Sequence, residues 1–112
     1  EATVVTLTNA LKIRPDDANL LVDRASAQIL LEKWPEAIKD LDKALSASPG
    51  LAAAHQLRAE ARLNMNDLQP ALADVKAAMA AEPDNIDTLV LRGRIREAIR
   101  LSEVRMVPPQ TE

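Results

Sequence analysis

The amino-acid sequence predicts an all-α fold of about six helices, arranged as antiparallel pairs that stack side by side. A period of 34 residues runs along the chain, since the stretch at 34–49 matches the stretch at 68–83 in register. Prolines recur at the same spacing: Pro15, Pro49 and Pro83. Within each period the apolar residues recur every three or four positions, which is the spacing of a helix face. Internal repeats of this length are typical of stacked helix pairs.

Composition restricts the chain to one folded domain at most. Its 112 residues are 47% hydrophobic, which excludes disorder, and the apolar residues include a single Trp with no Phe or Tyr. No run approaches the ~20 apolar residues of a membrane span and no signal segment is present, so we expect a soluble protein without membrane contact. The net charge of -3 and the near absence of aromatic rings argue against nucleic-acid binding. Because the chain has no cysteine, the sequence does not tell a reducing cellular compartment from an oxidising one. The localisation stays open, with the cytoplasm preferred.

The first helix is predicted from an apolar stripe that ends before Pro15. Its residues lie at helical spacing: Val4, Leu7, Ala10 and Leu11. The helix that should pair with it on the N-terminal side is missing, so residues 1–17 form a half repeat in this interpretation. We therefore expect a segment cut from a longer chain, in which Val4, Leu7 and Leu11 are left exposed.

The unit at 18–51 contains two predicted helices. Asp16 and Asp17 can cap the first helix, which should run over about 18–31. Pro35 then opens the second helix, where the missing N–H of proline costs nothing. The buried stripe of that second helix contains Ala37, Ile38, Leu41, Ala44 and Leu45, before Pro49 and Gly50 end it.

The unit at 52–85 repeats this plan, with helices over about 52–65 and 70–81. Asn66 suits the turn between them, because asparagine tolerates left-handed backbone angles. A longer closing helix follows over about 86–105. The predicted division is thus a single array at 1–107, made of a half repeat (1–17), two repeats (18–51 and 52–85) and the closing helix (86–105), with a tail at 108–112.

Small residues occupy fixed positions in both complete units. Alanine stands at the eighth, twentieth and twenty-seventh positions and proline at the thirty-second: Ala25, Ala37, Ala44 and Pro49, then Ala59, Ala71, Ala78 and Pro83. This pattern, in 34-residue units of two helices, resembles the tetratricopeptide repeat. The resemblance implies a right-handed superhelix of helix pairs. This sequence departs from the family at the positions that are usually aromatic there, since only Trp34 is aromatic.

The resemblance also implies that the first helix of each unit lines a concave groove, which binds an extended or helical peptide. The groove residues are then Asn19, Val22, Asp23, Ser26, Gln56, Leu57, Glu60, Asp87, Val90, Leu91 and Arg94. Positions nearer the ends of the same helices add Ile29, Leu30, Leu63, Asn64, Glu97 and Ala98. Apolar residues flanked by Glu60 and Arg94 suit a partner peptide in which apolar and charged residues alternate.

One known activity of the family is not supported by these positions. Chaperone-tail binders of the family hold a C-terminal carboxylate with Lys, Asn and Arg side chains at set positions in three units. In this sequence those positions hold Val22, Ser26, Leu57, Asp87 and Leu91. The predicted partner is a protein or peptide whose identity stays open.

An arginine recurs at the seventh position of each unit: Arg24, Arg58 and Arg92. One interpretation of this ladder is an anion-binding row. The interpretation we favour pairs each arginine with an acid on the second helix of its own unit, namely Asp40 and Asp74. Arg92 has no such acid, so it is the member expected to be free for a ligand.

Motifs that carry catalytic or metal chemistry are absent from the sequence. His55 is the sole histidine and there is no cysteine, so we predict a partly buried, hydrogen-bonded imidazole and no metal site. No Gly-rich phosphate loop and no nucleophile arrangement occurs. We therefore expect no catalytic residue, no cofactor and no enzymatic activity.

The predicted function is that of a noncatalytic protein-interaction scaffold. Two alternatives stay open. The array could serve self-association, giving homo-oligomers through exposed terminal helices. It could also be the docking arm of a larger enzyme. Each of these functions is inferred from the fold by analogy.

Overall fold

The computed structural model describes residues 2–106, which form six α-helices without a strand. The helices are α1 (Ala2–Ile13), α2 (Ala18–Leu30), α3 (Trp34–Ala47), α4 (Ala52–Asn64), α5 (Leu68–Ala81) and α6 (Ile86–Met106). They confirm the all-α fold, and their bounds agree with the predicted ones to within about two residues. Of these six helices, none is long and apolar enough to cross a membrane. The predicted tail at 108–112 lies outside the described residues.

Two helices begin at the capping residue or proline that the sequence predicted. The Asp17 carboxylate caps α2, because it accepts hydrogen bonds from the amides of Asn19 and Leu20 at 3.0 and 3.2 Å. Caps of this kind are typically worth about 1 kcal/mol. Asp16 is exposed and lies 3.8 Å from the Lys43 ammonium group instead. Pro35 lies in the first turn of α3, as predicted.

The turns inside the two complete units have the same backbone geometry. Glu32 after α2 and Asn66 after α4 adopt left-handed angles, with φ of 58° and 62°, which confirms the turn predicted at Asn66. The Lys33 amide donates to the Gln28 carbonyl at 2.8 Å, and the same bond recurs one unit later at the same distance. These bonds satisfy carbonyls that a helix end leaves unpaired. The 34-residue period therefore extends to the details of the backbone.

Alanine at the predicted positions makes close packing between helices possible. All six alanines are at most 1% exposed: Ala25, Ala37, Ala44, Ala59, Ala71 and Ala78. Because a methyl group is all that separates the backbones there, each helix can approach its neighbour closely. The larger core residues lie between these contacts, and the equivalent residues Leu41 and Val75 are both fully buried.

The helices form a curved two-layer array. Each helix contacts the next along the chain. In addition, α2 contacts α4, and α4 contacts α6. The other layer is more open, because within residues 2–106 no Cα atoms of α1 and α3, or of α3 and α5, lie within 8 Å of each other. The array therefore bends so that α2, α4 and α6 form its concave side. Its radius of gyration is 16.1 Å, above the ~13 Å of a compact domain of about 100 residues.

The exposure predicted for the first helix is wrong at Leu11 and only partial at Val4 and Leu7. Leu11 is only 7% exposed and belongs to a core cluster with Leu21 and Ala44. Because α1 is placed like the second helix of a unit, the following helix covers its apolar stripe. Val4 and Leu7 are half-buried. Self-association through this helix stays a prediction.

Candidate functional site

Part of the predicted groove is a depression between α4 and α6. Six of the predicted residues line it: Gln56, Glu60, Asp87, Val90, Leu91 and Arg94. Its volume is about 300 Å³. Val90 is 58% exposed, whereas Leu91 is 4% exposed and belongs mainly to the core. The depression therefore combines an exposed apolar side chain with three charged ones.

A second and more apolar depression of about 620 Å³ continues from the first. Val90 and Arg94 line both. Its full lining is Leu63, Val90, Gly93, Arg94, Glu97, Ala98 and Leu101. We call the two together the α4–α6 trough. Gly93 and Leu101 were not among the predicted groove residues, because their part in it depends on how α6 packs against α4.

The predicted groove residues of α2 lie outside this trough. Asn19, Val22, Asp23 and Ser26 do not line either depression. Val22 and Leu57 instead pack, half-buried, against one core cluster. Ile29 is buried in that cluster, so its predicted place in an open groove is wrong. The reason is that Ile29 faces the helices packed around α2.

A hydrogen bond that the sequence did not predict joins the two helices of the trough. The Thr88 hydroxyl on α6 donates to Oε1 of Gln56 on α4 at 3.2 Å. Thr88 is buried. The corresponding positions of the other two units are Leu20 and Ala54, so the repeat pattern gave no signal for it. This bond positions Gln56 at the wall of the trough.

The charged side chains of the trough differ in their partners. Glu97 accepts from Arg100 at 2.6 and 3.1 Å. These hydrogen bonds lower the pKa of Glu97 and raise the pKa of Arg100. Glu60, Asp87 and Arg94 have no ion pair with any side chain in the described part of the chain. Their charges are therefore available to a partner.

The arginine ladder is structural, as the favoured interpretation predicted. Arg24 donates to both Asp40 oxygens at 2.7 and 2.6 Å. Arg58 donates to Asp74, with the shortest bond at 2.7 Å. These bonds to the carboxylates raise the pKa of both arginines. Arg92 has no acidic partner among residues 2–106, and its guanidinium lies 3.7 Å from the Met79 sulfur.

Asp74 binds more partners than the ladder predicted. Arg62 donates to its Oδ2 at 2.6 Å. The Nδ1 atom of His55 lies 3.0 Å from its Oδ1, while Nε2 lies 3.0 Å from the Pro49 carbonyl oxygen. The prediction of a partly buried, hydrogen-bonded imidazole is thus confirmed. Among the described residues, no three His, Cys, Asp or Glu side chains are grouped so that they could hold a metal ion.

Comparison with curated proteins gives relatives that are much longer than this chain. No family model matches the chain. Sperm-associated antigen 1 of mouse is 36% identical over 85 residues, which are 76% of this chain and 9% of that protein. The chain thus spans about a tenth of the length of this relative.

Comparison with solved structures gives close matches of fold. The first tetratricopeptide repeat (TPR) domain of Spaghetti (RPAP3), bound to the HSP90 peptide SRMEEVD, superposes with a TM-score of 0.84 at 25% identity, over 87% of this chain and 77% of that one. The TPR domain of Arabidopsis OM64 does so with a TM-score of 0.81 at 29% identity, over 84% and 78%. Both share the arrangement of helix pairs that the 34-residue period produces here. The chain therefore has the fold of a tetratricopeptide repeat array.

Proposed function

We propose that the chain is a noncatalytic protein-interaction scaffold whose α4–α6 trough binds a peptide segment of a partner protein. The observation that carries this proposal is the convergence of six predicted groove residues on one depression. The second depression extends that surface along α6. Apolar walls with a few polar groups at the edge are typical of sites that bind side chains of a ligand.

The solved relatives support peptide binding as the general activity. Spaghetti binds an HSP90 peptide through its first TPR domain, and the second TPR domain of human RPAP3 binds an HSP70 peptide. The positions expected to hold a terminal carboxylate carry no basic side chain in this chain. The partner is therefore held through its side chains and need not end at the trough.

A second use of the same surface is favoured by the length of the relatives. The mouse relative is about ten times longer than the matched segment. In such a protein the trough would dock the remainder of the chain onto a partner, and any catalytic activity would belong to other domains. This use requires the same peptide-binding surface.

Val90→Asn is expected to weaken peptide binding by about tenfold, because burying a valine side chain contributes roughly 1.5 kcal/mol or more. The probe is a set of peptides selected on this chain from a random displayed library, with affinities measured by fluorescence anisotropy. Val and Asn have similar helix propensities, so the fold of α6 should be unchanged.

Val5→Asn is the matched control for this substitution. Val5 lies on α1 and is 60% exposed, close to the 58% of Val90. It should leave affinity unchanged. The proposal is contradicted if Val90→Asn binds as tightly as the original chain, or if the Val5 substitution is the one that weakens binding.

A further inference from the structure

We infer that the peptide bound in the trough is cationic, with Lys or Arg alternating with apolar residues. This inference rests on the proposed function and specifies its partner. The trough is lined by two carboxylates without a basic partner, Glu60 and Asp87, against one guanidinium at Arg94, which is a net charge of -1 for these groups. Its third carboxylate, Glu97, is paired with Arg100. A partner of opposite charge would complement this surface.

The carboxylates of the groove differ from those elsewhere in the array. Asp40 and Asp74 are buried and bound by arginines, so their charge is already neutralised. Asp23 and Asp87 are exposed and Glu60 is half-buried. Within residues 2–106, none of these three forms an ion pair with a basic side chain.

Asp87 stands at the end of α6 where the backbone favours a negative charge. It lies in the first turn of this helix, at the positive end of the helix dipole. Glu60 lines the same depression from α4. A lysine or arginine of the partner can therefore meet two carboxylates from two helices, which fixes its position across the trough.

The rest of the trough sets where the other residues of the peptide lie. Val90 lines both depressions, and Leu63 and Leu101 line the second. Apolar side chains of the partner would be buried there. Arg94 also lines both depressions, so we expect the positive side chain of the peptide to lie against the carboxylates of Glu60 and Asp87 rather than against the Arg94 guanidinium. An acidic peptide would place like charges against Glu60 and Asp87.

The inference is tested with two amidated, fluorescein-labelled peptides, LKVKLKVK and LEVELEVE. Both have the same apolar residues and differ only in the sign of charge. In fluorescence anisotropy at low salt, the lysine peptide should bind about tenfold or more tightly than the glutamate peptide. The ratio should fall as salt is raised, because exposed charges are screened.

The double substitution Glu60→Gln with Asp87→Asn identifies the groups responsible. It should reduce the preference for the lysine peptide to less than about threefold. The matched control is Glu36→Gln with Glu103→Gln, which removes two exposed carboxylates outside the trough. The control should retain the preference, and thermal unfolding should be alike for both variants.

The failures of this inference and of the proposed function are distinguishable. Equal affinity for the two peptides, or no measurable binding of the lysine peptide, overturns the inference. An unchanged preference in the Glu60 and Asp87 variant overturns it too. Library-selected peptides that depend on Val90 would still support the proposed function in each of these cases. If the selected peptides do not depend on Val90, the proposed function fails.

Discussion

Asp74→Asn is expected to lower the free energy of unfolding by about 3 kcal/mol, because it leaves basic groups without their buried counter-charge. Asp74 is the shared acceptor of Arg58, Arg62 and His55, and its side chain is only 3% exposed. Asparagine preserves the shape but turns an amide donor toward other donors. A loss of this size is a large part of the 5–15 kcal/mol that stabilises a typical domain.

Asp42→Asn is the matched control, since Asp42 accepts from the same arginine. Its oxygen lies 2.7 Å from Nη1 of Arg58, but its side chain is 56% exposed. An exposed pair of this kind contributes about 1 kcal/mol or less. Urea unfolding of both variants measures the difference. Equal losses at the two positions would contradict the assignment of Asp74 as the buried centre of this network.

Ala44→Leu is expected to lower stability by ~2 kcal/mol and the melting temperature by ~8 °C, since the added carbon atoms overfill a packed contact. Ala44 is fully buried with Leu11 and Leu21. The neighbouring Lys43 is exposed, with only a 3.8 Å contact to Asp16. Lys43→Leu should therefore change stability by less than about 0.5 kcal/mol. Equal thermal shifts for the two variants would show that the helix phasing is wrong.

The repeat made the fold and its internal pairs predictable. The 34-residue period gives the register of every unit, so the sequence alone predicts the positions of the alanine contacts. The pairing of Arg24 with Asp40 followed from the same register, because both positions recur with the period. Here a local pattern determines contacts, since each unit packs chiefly on its neighbours.

Contacts that differ between units could not be predicted in this way. Arg62 and His55 join Asp74 only in the second unit, where Gln28 and Leu21 hold the equivalent positions of the first. Leu11 is buried because the following helix covers α1. Leu101 lies on the extra length of α6 and lines the trough through the angle of that helix. These features depend on tertiary packing, which periodicity does not specify.

The central claim is that the concave side of the array binds a partner through α4 and α6. An amide NMR titration of the chain with a library-selected peptide tests it most directly. We expect the largest shift changes at Glu60, Asp87 and Val90, with little change at Lys39 on α3 and Lys76 on α5, which are exposed outside the concave layer. Shift changes concentrated on α3 and α5, with α4 and α6 unaffected, would contradict the claim.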